Sequence, residues 1–276
     1  MLEAIKNRKS VRQYEAQDID ETLFQKVRDC VNTAKVLYND IGLRIEVVQD
    51  GTKIHQVMNG FLGSYGKVKS PHYLVVISET KEGYHENVGY TMEEIVLGMT
   101  ALGLGTCWIG GFFDRELIKR VISMAAGEKA VVIIAFGYEK RGMWGEAVRN
   151  FAGFAKRKMI EEIAFHQELG KNINEFLEQN PLWQEILACV RLAPSAVNLQ
   201  PWRMIFKEDR IDLYAKSNIS VKSSEDTKMH RIDLGIAMKH LEIACQAYDI
   251  PGVFKRQEHD LIQGHEYISS FKLLKR

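Results

Sequence analysis

Metal-binding patterns and long apolar runs are scarce in this chain of 276 residues. Its four cysteines, Cys30, Cys107, Cys189 and Cys245, form no CxxC pair, and its eight histidines form no HExxH pattern. The spacing that a structural or catalytic metal requires is therefore missing. We expect the cysteines to be reduced residues of the core, and we expect no metal site.

An excess of charge is also missing, because 37 Lys and Arg residues face 36 Asp and Glu residues and leave a net charge of +1. This balance gives no overall attraction to nucleic acid or to a membrane surface. No apolar stretch approaches the roughly 20 residues that span a bilayer, and the N-terminal MLEAIKNRKS lacks the apolar segment of a secretion signal. We expect a cytoplasmic protein with neither nucleic-acid nor membrane partners.

An internal repeat is the first positive feature of the sequence. At an offset of 159, Leu23, Gln25, Cys30, Val31, Ala34, Asn39 and Arg44 recur as Leu182, Gln184, Cys189, Val190, Ala193, Asn198 and Arg203. At an offset of 146, Gly89, Met92 and Ala101 recur as Gly235, Met238 and Ala247. The second copy is then predicted to be 13 residues shorter between Asp209 and Leu234. Chance likeness of two amphipathic helix pairs is the alternative; we favour two related units, 1–160 and 161–276.

Apolar periodicity predicts helices and strands in alternation within both units. The first unit has predicted helices at 21–35, capped by Asp20 or Asp18, and at 90–104, with strands starting at Leu43, Tyr73 and Ala130. The second unit has a predicted helix starting at Pro181, a hairpin around residues 208–209, a helix at 234–248 and an edge strand in EYISSFKLLKR. The glycine-rich stretch 142–153 is the expected connection between the units.

A basic segment near the start contains Arg8, Lys9, Ser10 and Arg12, which supply three cations and a hydroxyl group within five residues. In an extended segment Arg8 and Ser10 share a face and could reach one phosphate group. Taken alone, a short basic run is also typical of a solvated surface.

A second segment, GLGTCWIGGF, carries glycines that do not fit GxGxxG and follows a predicted helix, so a dinucleotide-binding Rossmann motif is excluded. Gly103 and Gly105 fit a helix C-cap and a turn. The pair Gly110 and Gly111 is less well explained by a turn, and it suits a backbone that passes close to a ligand.

A third segment, APSAVNLQPW, runs from Ala193 to Trp202. Pro194 and Pro201 fix two backbone angles and cannot donate to a sheet, so the segment suits a rigid loop better than a core strand. Such a loop would present Ser195, Asn198 and Gln200 to a ligand, whereas we expect Trp202 to begin a buried strand.

These three segments, together with AKRKMIEEI, resemble the flavin-dependent nitroreductases over nearly the whole chain. The resemblance implies an α+β fold of two helix-flanked antiparallel sheet units that form an internal pseudo-dimer and act as a monomer. It implies flavin mononucleotide (FMN) as cofactor, with its phosphate bound by the basic segment and by Lys156, Lys158 or the competing Arg157. It also implies that Gly110 and Gly111 approach the ring, that the loop motif contacts it, and that Arg12 or Lys67 stabilises its reduced form.

The same resemblance implies that NADH or NADPH reduces the flavin, which then passes the hydride to a small-molecule acceptor of the quinone or nitroaromatic type, with no catalytic side chain. A flavin-binding sensor or carrier without turnover, and a flavoenzyme of different oxidative chemistry, are the alternatives. The repeat predicts one composite site, because each unit lacks what the other keeps. Under the two offsets, Arg8, Ser10 and Arg12 become Gln167, Leu169 and Lys171; Gly110 and Gly111 become Arg256 and Gln257; and Pro194, Ser195 and Pro201 become Lys35, Val36 and Gly42.

Overall fold

The computed structural model describes residues 1–55, 57, 68–110, 113–140, 157–217 and 229–274. The predicted connection 142–153 and the candidate residues Lys67, Gly111 and Lys156 lie outside these ranges. No helix in the described ranges has both the length and the apolar character that crossing a membrane requires. All four cysteines are free thiols.

The first unit contains five helices and four strands within its described residues. The helices are α1 (Leu2–Asn7), α2 (Glu21–Thr33), α3 (Thr52–His55), α4 (Tyr84–Ala101) and α5 (Arg115–Ile118). The strands are β1 (Leu43–Val48), β2 (His72–Glu79), β3 (Gly105–Ile109) and β4 (Glu128–Gly137). Asp20 is the N-cap of α2, because its carboxylate accepts a hydrogen bond from Leu23 N at 2.8 Å. Of the two predicted caps, Asp20 is therefore the correct one.

A short helix and a short strand lie at the predicted boundary and open the second half of the chain. The elements from there on are α6 (Ile160–Ile163), β5 (Ala164–His166), α7 (Asn174–Gln179), α8 (Pro181–Arg191), a 3-10 turn (Ala196–Asn198), β6 (Trp202–Phe206), β7 (Arg210–Lys216), α9 (His230–Ala247), β8 (Gly252–Lys255) and β9 (His265–Leu273). Pro181 stands at the first turn of α8, as predicted. Trp202 is fully buried at the start of β6, which confirms its structural role.

The two sheets repeat one topology. The first has the strand order β1-β2-β4-β3 and the second the order β5-β6-β7-β9-β8. All their pairings are antiparallel except that β5 runs parallel to β6. Without β5, the second order matches the first strand for strand, which confirms the α+β fold with two related sheets.

The helices α4 and α9 pack against each other, and their contact is reciprocal. A Cβ built on Gly89 would lie 2.0 Å from Ile232 O, and one built on Gly235 would lie 2.1 Å from Glu86 O. The offset of 146 relates Gly89 to Gly235 and Glu86 to Ile232, so each contact is the counterpart of the other. Reciprocal contacts of this kind define a two-fold interface, here within one chain.

One prediction of strand position is wrong. EYISSFKLLKR is not an edge strand, because β9 pairs with β7 on one side and β8 on the other. The shortening predicted between Asp209 and Leu234 is the net result of two changes: residues 207–209 replace the connection 49–71, whereas the connection 217–229 is longer than its counterpart 80–83.

Candidate functional site

The basic segment lies along the edge strand β3 of the first sheet. Ser10 forms a parallel bridge with Thr106, and Val11 N donates a hydrogen bond to Thr106 O at 2.8 Å. Extended backbone directs successive side chains to opposite sides, and Lys9 accordingly points away to form an ion pair with Glu139 at 2.6 Å. Lys9 thus belongs to a surface ion pair, while Arg8 turns towards the interior.

Arg8 is a buried cation with little compensation. Its side chain is only 5% exposed, and its Nε lies 4.0 Å from Glu93 Oε1. Among the described residues, its buried Nε and Nη1 atoms have no hydrogen-bond partner. Burial lowers the pKa of Arg8, and the Glu93 carboxylate offsets that effect only in part. Buried guanidinium groups are normally paired, so this one has hydrogen bonds available for an anion.

The Glu93 carboxylate is itself occupied by a residue of the second unit. His240 Nε2 lies 2.9 Å from Glu93 Oε1, and His240 Nδ1 lies 2.9 Å from Cys189 O. Because a carbonyl oxygen can only accept, Nδ1 carries a hydrogen, and Nε2 and Glu93 share one further proton. The pair therefore has no net charge, whichever atom holds that proton. Glu93 therefore compensates the charge of Arg8 only in part.

Two further guanidinium groups reinforce this positive region. Burial, together with repulsion from Arg8 and Arg191, lowers the pKa of Arg157 to about 10. Arg157 Nη1 donates to Ala193 O at 2.5 Å, and Arg191 Nε donates to Lys158 O at 2.6 Å. Arg157 thus connects the buried positive charge of the first unit with the start of the loop motif in the second.

The loop motif is held in a strained conformation by its own side chains. Val197, Asn198 and Gln200 have positive φ angles of 44°, 57° and 44°, which cost on the order of 1–3 kcal/mol each. Ser195 Oγ accepts a hydrogen bond from Gln200 N at 2.9 Å. The backbone there is fixed with Val197 exposed, an arrangement that suits a surface prepared for a ligand.

Gln200 is fully buried, and its side chain is used inside the protein. Its Oε1 accepts from Lys158 N at 2.7 Å, and its Nε2 donates to Arg191 O at 3.1 Å. The structure therefore places Gln200 as a support of the loop, with its amide directed towards the protein and not towards a ligand surface. Lys158 contacts Gln200 through its backbone N–H, which is the donor of the first of these hydrogen bonds.

Gly110 lies next to the second unit, because a Cβ built on it would come 3.2 Å from Met229 Cε, just before α9. In the first turns of α9, Asp233 is buried and accepts a bond from Ala196 N, with both carboxylate oxygens at 3.2–3.3 Å. Burial raises the pKa of Asp233 to about 8. Gly110 and the loop motif therefore both lie near the start of α9.

A sequence model of the family described as putative TM nitroreductase matches residues 1–245. The chain belongs to this nitroreductase family. A putative nitroreductase from Thermotoga maritima MSB8 has the same fold, with a TM-score of 0.60 and 21% identity over 99% of this chain and 92% of that one. Family membership supports an oxidoreductase role.

Smaller solved structures match part of the chain. A nitroreductase family protein from Clostridium novyi NT is 25% identical over 63% of this chain and 96% of its own, with a TM-score of 0.44. An FMN-dependent nitroreductase from Clostridium difficile R20291 is 19% identical over 51% and 89%, also at 0.44. No curated protein matches the sequence.

Among the predicted site residues, the structure brings together Arg8, Arg157 and the loop from Pro194 to Asn198. Gly110 lies near Met229 at the start of α9, the helix that also contacts this loop. Ser10 lies on the extended segment next to Arg8, and Arg12 follows it as a half-buried residue. Lys9 is directed to the surface ion pair. The assignment of these residues to a cofactor stays a prediction.

Sequence reasoning missed Arg191, Glu93, His240 and Asp233. A signal was available, since under the offset of 146 the adjacent acidic residues Glu93 and Glu94 correspond to the basic residues Lys239 and His240. The structure shows them as two counterpart pairs, Glu93 with His240 at 2.9 Å and Glu94 with Lys239 at 2.8 Å.

Proposed function

We propose that this chain is an FMN-binding oxidoreductase that holds one flavin between its two units. In this proposal NADH or NADPH reduces the flavin, and a quinone or nitroaromatic acceptor reoxidises it in ping-pong fashion. The observation that carries the proposal is the pair of buried guanidinium groups of Arg8 and Arg157 beside the loop motif. In the described part of the chain, two donor atoms of Arg8 have no hydrogen-bond partner.

The residues present fit the phosphate end of FMN. A phosphate monoester carries close to two negative charges at neutral pH and accepts several charge-assisted hydrogen bonds. The Nε and Nη1 atoms of Arg8, which no described residue contacts by a hydrogen bond, supply two such donors, and Arg157 adds a second buried guanidinium. Glu93, which also contacts His240, lies 4.0 Å from Arg8 and offsets its charge only in part. We propose Ser10 and Lys158 as further neighbours of the phosphate.

The ring end of the cofactor fits the region around Gly110. Gly110 has no side chain to obstruct a flat ring, and the rigid loop from Pro194 to Asn198 lies on the same side of α9. When bound, the flavin supplies the hydride chemistry, so the chain's own residues bind it, orient it and exclude water. Arg12 remains our candidate for stabilising the negative charge of the reduced ring.

The counterpart region in the other half is filled, which supports one flavin per chain. Arg256 stands at the position of Gly110, and its guanidinium lies 6.0 Å from the ring centroid of Tyr38. Arg256 Nη1 also donates to Glu82 at 2.7 Å. Tyr38 in turn corresponds to Val197 of the loop motif. Side chains thus occupy the space that a second flavin ring would need. We propose that a single chain acts as a pseudo-dimer with one flavin.

The first experiment compares the affinity for FMN with that for riboflavin, which lacks the phosphate. A charge-assisted hydrogen bond contributes about 1.5–3 kcal/mol, so Arg8→Gln should weaken FMN binding by a factor of about 13 to 150 and leave riboflavin binding unchanged. Glutamine is the residue found at the counterpart position, Gln167. The matched control is Lys9→Gln, which removes a neighbouring surface charge. Equal affinity of the unmodified protein for FMN and riboflavin would refute the phosphate site.

The second experiment adds NADH or NADPH to the FMN-loaded protein without oxygen and follows flavin absorbance. Bleaching by either nucleotide, followed by recovery on addition of a quinone, supports turnover. Parallel double-reciprocal plots at several acceptor concentrations support the ping-pong order. A bound flavin that neither nucleotide bleaches would favour a sensor or carrier. The cytoplasmic location and the unit boundary near residue 160 stay predictions.

A further inference from the structure

Asp233 in α9 and Asn87 in α4 occupy counterpart positions. Asn87 supports the loop after α2, and Asp233 supports the loop after α8. Asn87 Oδ1 accepts hydrogen bonds from Leu37 N at 2.8 Å and from Tyr38 N at 2.9 Å. Asp233 accepts from Ala196 N at 3.2–3.3 Å, and Ala196 is the counterpart of Leu37 at the offset of 159. A side chain of the central helix thus accepts a hydrogen bond from the loop backbone in both halves, but its chemistry differs. Asn87 provides an amide oxygen beside residues 37–38, and Asp233 provides a carboxyl group beside the loop motif.

The environment of Asp233 disfavours its ionised form. The residue is 6% exposed, and among the described residues it receives one backbone N–H, shared by both of its oxygens. On its own helix, His230 lies one turn earlier, and Arg231 forms an ion pair with the buried Glu86 at 2.5 Å. The loop from Ala193 to Trp202 contains no titratable side chain. Burial is the largest influence and raises the pKa of Asp233 to about 8, while the Ala196 N–H acts in the opposite direction.

The loop that Asp233 supports is strained, so its conformation depends on such contacts. Three of its residues have positive φ angles. One of these is Val197, and a β-branched residue rarely adopts a positive φ because its side chain clashes with the backbone. The support comes from Ser195, Gln200, Arg157 and Asp233. A buried carboxylate with a single N–H partner is unstable, so ionisation favours an arrangement in which water or another donor reaches Asp233.

We propose that Asp233 is a positioning residue of the flavin site, which holds the loop from Ala193 to Trp202 against the flavin while protonated and releases it on ionisation. The proposal rests on the proposed function, because it assumes that this loop contacts the flavin. It assigns a use to a buried acid that neither the phosphate end nor the ring end of the site requires.

The proposal fixes the direction of the pH dependence. If only the protonated form binds flavin well, affinity is constant below about pH 7 and falls about tenfold for each pH unit above about 8. The apparent dissociation constant for FMN should therefore rise about tenfold between pH 7 and pH 9. Arg157, whose pKa is lowered to about 10, also loses protons towards the upper end of this range, so a variant that changes Asp233 alone is needed.

The test compares the unmodified protein with Asp233→Asn and with the matched control Asn87→Asp. FMN affinity is measured by fluorescence quenching from pH 6 to 9. Hydrogen exchange of amides 195–200 is measured in the flavin-free protein, with exchange rates corrected for their intrinsic pH dependence. We expect the tenfold loss and a rise in loop exchange above pH 8 in the unmodified protein. Both should vanish in Asp233→Asn, whereas Asn87→Asp should retain both.

A flat FMN affinity in the unmodified protein, or an equal slope in Asp233→Asn, would overturn the proposal. The hydrogen-exchange measurement keeps this outcome separate from a failure of the proposed function. If FMN does not bind at all, the function is wrong, but loop exchange that rises with pH only when Asp233 is present would still establish the coupling between the acid and the loop. Loop exchange that does not respond to pH would overturn that coupling as well.

Discussion

The crossing of α4 and α9 offers a prediction that is independent of any ligand: Gly89→Ala should destabilise the protein. The new Cβ would lie 2.0 Å from the carbonyl oxygen of Ile232, and that oxygen belongs to the backbone of a buried helix. Side-chain rotation cannot relieve the contact. The two helices would have to move apart by about 1 Å, which weakens dispersion contacts along the whole crossing.

The magnitude follows from two opposing effects. Overpacking of a well-packed core costs about 1–3 kcal/mol, and a rigid backbone contact belongs at the upper end of that range. Replacing glycine with alanine inside a helix gains about 1 kcal/mol. We therefore expect the free energy of unfolding to fall by about 2 kcal/mol. Gly235→Ala should give a similar loss, because its Cβ would lie 2.1 Å from Glu86 O. The double variant should lose less than the sum, since the helices separate only once.

Gly98→Ala is the matched control within the same helix. Its Cβ would lie 2.9 Å from the sulfur of Cys30, a half-buried side chain that can rotate away. The helix-propensity gain is the same, so this variant should be about as stable as the unmodified protein or slightly more stable. Urea unfolding followed by circular dichroism gives all the values. Gly89→Ala with a stability equal to or above that of Gly98→Ala would refute the tight crossing.

Three further predictions concern individual side chains. Arg157→Ala should weaken FMN binding by about tenfold or more, because about 1.5–3 kcal/mol of charge-assisted bonding is lost, whereas Lys9→Ala should not; equilibrium titration checks both. Asn198→Ala should weaken FMN binding by about 1–3 kcal/mol and Asn39→Ala should leave it unchanged, with one flavin bound per chain; equal losses, or titration to two flavins, would contradict the composite site. Burial raises the pKa of the Cys107 thiol, so at pH 8 peptide mapping should find it alkylated far more slowly in the folded protein than in urea.

Local sequence signals predicted the parts of the fold that depend on neighbouring residues. Asp20 caps α2 and Pro181 opens α8, because a cap and a fixed φ act within one turn. The offsets also held in three dimensions. The ends of α4, shifted by 146, are the ends of α9 at His230 and Ala247.

Local signals failed where the outcome depends on partners far along the chain. The segment EYISSFKLLKR alternates in a way that fits an edge or an inner strand, and only the presence of β8 beside it makes β9 an inner one. The helix predicted at 90–104 begins at Tyr84 in the structure. The prediction missed its first turns because they contain the polar residues Glu86 and Asn87, which do not follow the apolar pattern of a core helix. Glu86 is buried against Arg231 of α9, and Asn87 is buried against the backbone of Leu37 and Tyr38.

The sequence by itself determined the segments that form the candidate site, since the basic cluster, the glycines and APSAVNLQPW are short motifs with their own chemistry. Only the tertiary structure decided how their charges balance. Arg8 lies beside Glu93 of its own unit, and Glu93 contacts His240 of the other unit. Asp233 is buried against the backbone of Ala196. Desolvation and pairing are properties of the folded arrangement, because the same side chains are fully hydrated and independent in the unfolded chain.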